Sequence, residues 1–268
     1  MFDSMKMLLE FFPFAVVTGL AIALACSLVG VFVILKRVVF IGVVLSEVAA
    51  FGVAIGIVTG LSPFLGAAAL TASTVALLSY PFEARRIPRD AVMGVVFVAA
   101  SALSVLLVSQ SAFGLEQVKA LLYGDLLLAS PTDSLIALSV AVPVIAALLV
   151  FLRPTVYAFL DPEGAKVLGV NVRLWELLFF FALGLVVAAS SKVAGAILVF
   201  CYLVVAPAAA LLLTRRLRVA LALSAGAALF STFIGMWLSF GLDLPANQTV
   251  SALACATFVA ALGWSVIT

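Results

Sequence analysis

Glu47 lies in the stretch GVVLSEVAAF, residues 42–51, with apolar side chains on nearly every side. A carboxylate can bind a cation or accept a proton, and Ser46 beside it adds a neutral oxygen. If the run is a membrane helix entered near Arg37, ten residues at 1.5 Å each carry Glu47 about 15 Å inward, to the bilayer midplane. A charged group there costs at least ~2.5 kcal/mol, so Glu47 is expected to face a protein interior or a water-filled path. Its neighbours one turn away, Val43, Ala50 and Phe51, cannot ligate, so any partners must come from other helices. A second oxygen-bearing stretch is SFGLDLPANQTV, where Asp243 and Asn247 flank Pro245. Asp125, in LLYGDLLLAS, and Glu116 are weaker candidates of the same kind.

The elements that must hold these groups follow from composition. The chain has 268 residues, 66% hydrophobic and 10% charged, with mean hydropathy +1.39. Soluble domains are nearer half apolar and a quarter charged. Apolar runs near 20 residues recur from end to end, each able to cross a roughly 30 Å hydrocarbon core. They are continuous rather than alternating, which excludes a β-barrel. The fold expected is all-α, a single polytopic membrane domain over residues 1–268 with eight or nine transmembrane helices. Spans are predicted at 11–35, 38–60, 62–80, 90–109, 133–152, 174–190, 193–213, 218–240 and 247–267; the runs 62–80 and 174–190 are the least defined.

Eleven of the 14 basic residues fall in alternate loops: Lys36 and Arg37; Arg85, Arg86 and Arg89; Arg153, Lys166 and Arg173; Arg215, Arg216 and Arg218. That bias places those loops in the cytoplasm and, with nine spans, the N-terminus outside. The N-terminus does not resemble a cleavable signal. Cys26, Cys201 and Cys255 each sit in an apolar run without CxxC spacing, and read as small buried hydrophobes. There is no histidine and no GxxxxGK[ST] phosphate loop.

Three further stretches carry structure. In LDPEGAKVLGV, Asp161 can cap a helix that Pro162 begins, Glu163 strengthens and Gly169 ends. This predicts a helix of about two turns across the cytoplasmic face, inside the segment 159–173. Gly52 and Gly56 form a small-xxx-small pair, read as helix packing. Pro207 lies well inside a predicted span and should bend it. The outer loop 110–133 could contain a short helix or a re-entrant segment.

These stretches, in this order, resemble the permease subunits of bacterial ABC importers for manganese, zinc and iron. RVVFIGVVLSEVAAFGVAIG is similar to that family's second-helix segment, RDAVMGVVFVAASALSVLLVS and LLYGDLLLAS to its Asp-Ala-x-x-Gly and Gly-Asp segments. LDPEGAKVLGV, with VAGAILVFCYLVVAPAAALLL after it, is similar to its coupling segment and following helix, and LSFGLDLPANQTV to its Asp-x-Pro turn. The resemblance covers nearly the whole chain. It implies a type II importer permease in the bacterial plasma membrane, paired with a second copy of itself around a central path. Cytoplasmic ATPase subunits would dock on Asp161–Gly169, engaging Asp161, Glu163, Ala165 and Gly169. An extracytoplasmic metal-binding protein would deliver a divalent ion, manganese, iron or zinc. The chain itself would bind no cofactor and no nucleic acid, and would catalyse no reaction.

The family's second-helix histidine matches Glu47, and its external aspartate matches Asp243. Two positions depart: the family aspartate one turn before Glu47 is Val43 here, and the glycine of the Pro motif is replaced, with Asn247 two places after Pro245. Metal candidates are therefore Glu47 and Asp243, with Ser46 and Asn247. Zinc sites favour His and Cys, whereas oxygen ligands suit harder cations, so the absence of histidine leans toward manganese or iron. The alternative is a self-sufficient cation transporter or channel using Glu47; such transporters usually carry inverted repeats, and none is evident. A membrane enzyme would need paired catalytic groups, which the sequence lacks.

Overall fold

The computed structural model describes residues 10–78, 89–109 and 124–267, and these residues form helices joined by short turns. In chain order they are α1 (Pro13–Leu35), α2 (Val39–Thr59), α3 (Pro63–Leu78), α4 (Arg89–Ser109), a 3-10 turn (Leu126–Leu128), α5 (Pro131–Val150), α6 (Leu152–Leu160), α7 (Pro162–Val167), α8 (Val172–Leu213), α9 (Leu217–Leu242) and α10 (Ala246–Ile267). Proline opens α1, α5 and α7, where its missing N–H leaves no helical bond unmade. Ser130 and Asp133 close a reciprocal capping box on α5.

Seven helices are long and apolar enough to cross a membrane, among the described residues, and α3 is a shorter apolar helix of 16 residues. The predicted spans 174–190 and 193–213 are one run of 42 residues interrupted at Gly195, whose φ of 68° and ψ of 166° leave the helical region. A straight helix of that length would be about 63 Å long. The contacts show that it turns back instead. Glu176 pairs with Lys36 at the cytoplasmic end of α1, and Arg216, just past the far end of α8, shares a groove with Arg153 at the cytoplasmic end of α5. Between them, Lys192 reaches Asp133 at the outer end of α5. α8 is therefore a hairpin whose two arms both cross, and among the described residues the crossings are eight long ones plus α3, within the predicted eight or nine. The break lies at Gly195. Pro207, expected to bend its span, stays in helical conformation with its ring against Gly30 of α1.

α2, like α1, is largely enclosed. It packs against α3, α4 and α8, and most of its side chains are buried. Against α3 the contact is backbone to backbone: a Cβ on Gly52 would sit 2.5 Å from Ala67 Cα, and one on Gly66 2.2 Å from Gly52 O. This is the close approach that the small-xxx-small spacing permits. α8 ties the rest together, packing on α1, α2, α3, α9 and α10.

Candidate translocation site

Glu47 occupies the middle of α2 and is 8% exposed. Its Oε2 has no hydrogen-bond partner among the described residues. Ser46 is buried beside it and donates to Val43 O at 2.8 Å, the local bond a serine makes inside a helix. A buried polar atom left unpaired costs about 1–3 kcal/mol. Packing alone would favour an apolar side chain here, so the carboxylate is positioned at a cost to the fold. Among the described residues no three His, Cys, Asp or Glu side chains form a closed metal-binding group. What α2 offers is a single acidic oxygen pair in a buried setting.

Asp243 and Asn247 lie apart from it, where α9 turns into α10, and α9 packs on α1, α8 and α10. Asp243 is exposed and ends α9 in the left-handed conformation, φ 54° and ψ 43°. The turn after it is fixed from both sides: Leu244 N–H donates to Ser239 O at 3.0 Å, and Ser239 Oγ donates to Leu244 O at 2.5 Å. Asn247 turns inward and is 3% exposed. Its Oδ1 accepts from Leu126 N–H at 3.1 Å, and its Nδ2 donates to Ala194 O at 2.9 Å and Val193 O at 3.4 Å. One amide thus joins the 3-10 turn, the α8 hairpin bend and the start of α10. Gly124 presses against the same bend, where a Cβ would meet Val193 O at 2.4 Å. Asp125 caps the 3-10 turn through Leu127 N–H, and Glu116 lies outside the described residues.

The sequence reading missed two ion pairs, each joining distant parts of the chain. On the outer side, Lys192 Nζ meets Asp133 Oδ1 at 2.7 Å, and Asp133 is buried. On the cytoplasmic side, Lys36 pairs with Glu176 and lies 4.8 Å from the Phe159 ring. Phe159 in turn meets Phe179 edge-on at 4.8 Å and Phe32 at 6.3 Å. The sequence signal for either pair was no more than a charge at the end of an apolar run.

α7 follows directly from α6. Asp161 Oδ1 accepts from Gly164 N–H at 2.9 Å. At the other end Gly169, φ 75°, donates to Lys166 O and Val170 donates to Ala165 O, the paired bonds of a Schellman stop. The caps are those the sequence implies, and the helix is six residues long. Ala165 is fully buried, whereas Glu163, Val167 and Leu168 are exposed.

A profile of the family described as "ABC 3 transport family" matches residues 8–265. The manganese transport system membrane protein MntC of Halalkalibacterium halodurans is 28% identical over 251 residues, covering 94% of this chain and 86% of that protein. The high-affinity zinc uptake system membrane protein ZnuB of Haemophilus influenzae is 25% identical over 251 residues, with 94% and 96% covered. Among solved structures, PsaBC from Streptococcus pneumoniae in complex with Fab superposes with a TM-score of 0.87 at 23% identity, over 97% of this chain and 95% of that one. The chain belongs to the ABC 3 transport family, as a multi-pass permease subunit of the plasma membrane whose ATP hydrolysis resides in a separate subunit.

Proposed function

We propose that this permease imports a divalent metal ion, manganese, iron or zinc, and that Glu47 lies on the ion's route. The observation that carries the reading is the buried Oε2 of Glu47, without a hydrogen-bond partner among the described residues, in the middle of a largely buried membrane helix. A weak, single-carboxylate contact suits a route better than a store, because conduction requires release. The ligands at hand are oxygens, which favours manganese or iron over zinc. Asp243 is the candidate contact at the outer mouth. Asn247 acts by bracing the hairpin bend, and Ser46 adds a hydroxyl oxygen beside Glu47.

The permease works as a pair, with an extracytoplasmic metal-binding protein on the outer face. The ATPase subunits dock on α7, where Asp161 and Gly169 fix the helix ends, Ala165 anchors it to the body and Glu163 faces the partner. Movement of α7 passes through α6 and Phe159 to α8, which packs against α2. The test is uptake of manganese, iron and zinc by vesicles containing the permease, its ATPase and its binding protein, for wild type and Glu47→Ala. The reading requires that Glu47→Ala abolish uptake of one metal while the complex still assembles. Unchanged uptake would remove Glu47 from the route.

A further inference from the structure

On the cytoplasmic face, away from Glu47, the start of α6 and the start of α9 enclose a groove of about 540 Å³. Arg153, Arg216 and Arg218 line it over apolar residues that include Leu152, Val156 and Leu217. All three arginines are exposed, and among the described residues no carboxylate lies within ion-pair distance of any of them. Arg216 caps α9 without a side-chain acceptor. The first turn of this 26-residue helix lies at the same groove, and its first N–H groups, which have no helical partners, mark the positive end of its dipole. Three guanidiniums and a free helix start call for an anion with several oxygens, and guanidinium matches phosphate in a bidentate way.

We propose that the groove binds an anionic phospholipid of the cytoplasmic leaflet. Its phosphate lies between Arg153, Arg216 and Arg218, and its glycerol and first acyl carbons rest on Leu152, Val156 and Leu217. The groove's surroundings select a lipid over a protein partner. Close to the lining residues in the chain, the membrane helices expose apolar side chains, Val150 at 74% two residues before Leu152 and Leu223 at 39% four residues after Val219. α7, where the ATPase would sit, begins nine residues further on, roughly 13 Å along α6. Basic pockets between membrane helices at the cytoplasmic surface are suited to such head groups.

The test is native mass spectrometry of the full-length chain released from vesicles of phosphatidylcholine with 30% phosphatidylglycerol, read together with melting temperature in each lipid. Wild type should retain phosphatidylglycerol and be stabilised by it over phosphatidylcholine. Arg153→Gln/Arg216→Gln should lower retention about thirty-fold, two arginines each contributing about fivefold near a charged membrane surface. Melting in phosphatidylcholine alone should match wild type, showing that the variant folds. Arg173→Gln, an exposed arginine outside the groove, should leave retention unchanged. The proposal fails if the double variant retains phosphatidylglycerol as wild type does, or if Arg173→Gln lowers it equally. It fails also if inorganic phosphate stabilises the chain as well as the lipid does, or if the double variant loses only ATPase association.

Discussion

Replacing Glu47 with leucine should make the protein more stable and less active. Leucine has one heavy atom fewer than glutamate and no polar atom, and its closest helical neighbours, Val43, Ala50 and Phe51, are apolar. The substitution removes a buried oxygen that has no partner among the described residues, a relief of about 1–3 kcal/mol. The small void left offsets a fraction of that. Taking about 2 kcal/mol as the net, a chain of this size should melt about 4–8 °C higher. The same substitution removes the only acid in α2, and metal uptake should fall to background. The assay is melting in detergent paired with vesicle uptake on the same preparation. A lower melting temperature would show that Glu47 has partners that hold the fold, and the reasoning from an orphaned oxygen would collapse. A raised melting temperature with normal uptake would leave the carboxylate without a role.

Asn247→Ala strands Leu126 N–H and removes the donor to the carbonyls of Val193 and Ala194, so it should cost about 1–3 kcal/mol and lower the melting temperature; an unchanged melt would show that the bend at Gly195 stands without it. Gly52→Val should abolish recovery of monodisperse protein, because its Cβ falls 2.5 Å from backbone atoms of α3, whereas Gly94→Ala, with open space at its Cβ, should behave as wild type; gel filtration of both variants checks this. Phe159→Ala should cost about 3–5 kcal/mol by emptying the ring cluster beside Lys36. The milder Phe159→Leu should fold and still weaken metal-stimulated ATP hydrolysis, measured in the assembled transporter; full stimulation would exclude Phe159 from the link between α7 and the spans.

Span positions were legible because hydrocarbon thickness imposes a length on every crossing, and the sidedness of Lys and Arg oriented them. The ends of α7 were legible because Asp161, Pro162 and Gly169 act through their own backbone, within a few residues. The approach at Gly52 was legible for the same reason: small residues at helical spacing have few other uses. Local signals said nothing about direction. α2 is apolar all round, so no stripe revealed which helices would enclose Glu47. Asn247 looked like an ordinary loop residue open to an ion, and only folding shows its amide committed to a turn 121 residues earlier. The reversal of α8 was placed a few residues early, near Lys192, because a lone charge suggests a loop. That charge is held by Asp133, which belongs to another helix.

The hairpin of α8 bears on how the chain is made. Its two arms meet at Gly195 with no polar loop between them, so neither arm can be threaded and anchored before the other is drawn in. The ribosome has already delivered α5 when Lys192 emerges, and Asp133 waits on the far side as its counter-ion. Insertion of the pair then carries one positive charge across the bilayer toward a negative one already there. A chain lacking Asp133 would export that lysine unaccompanied, and the fault would arise at the insertion machinery before any ion is transported.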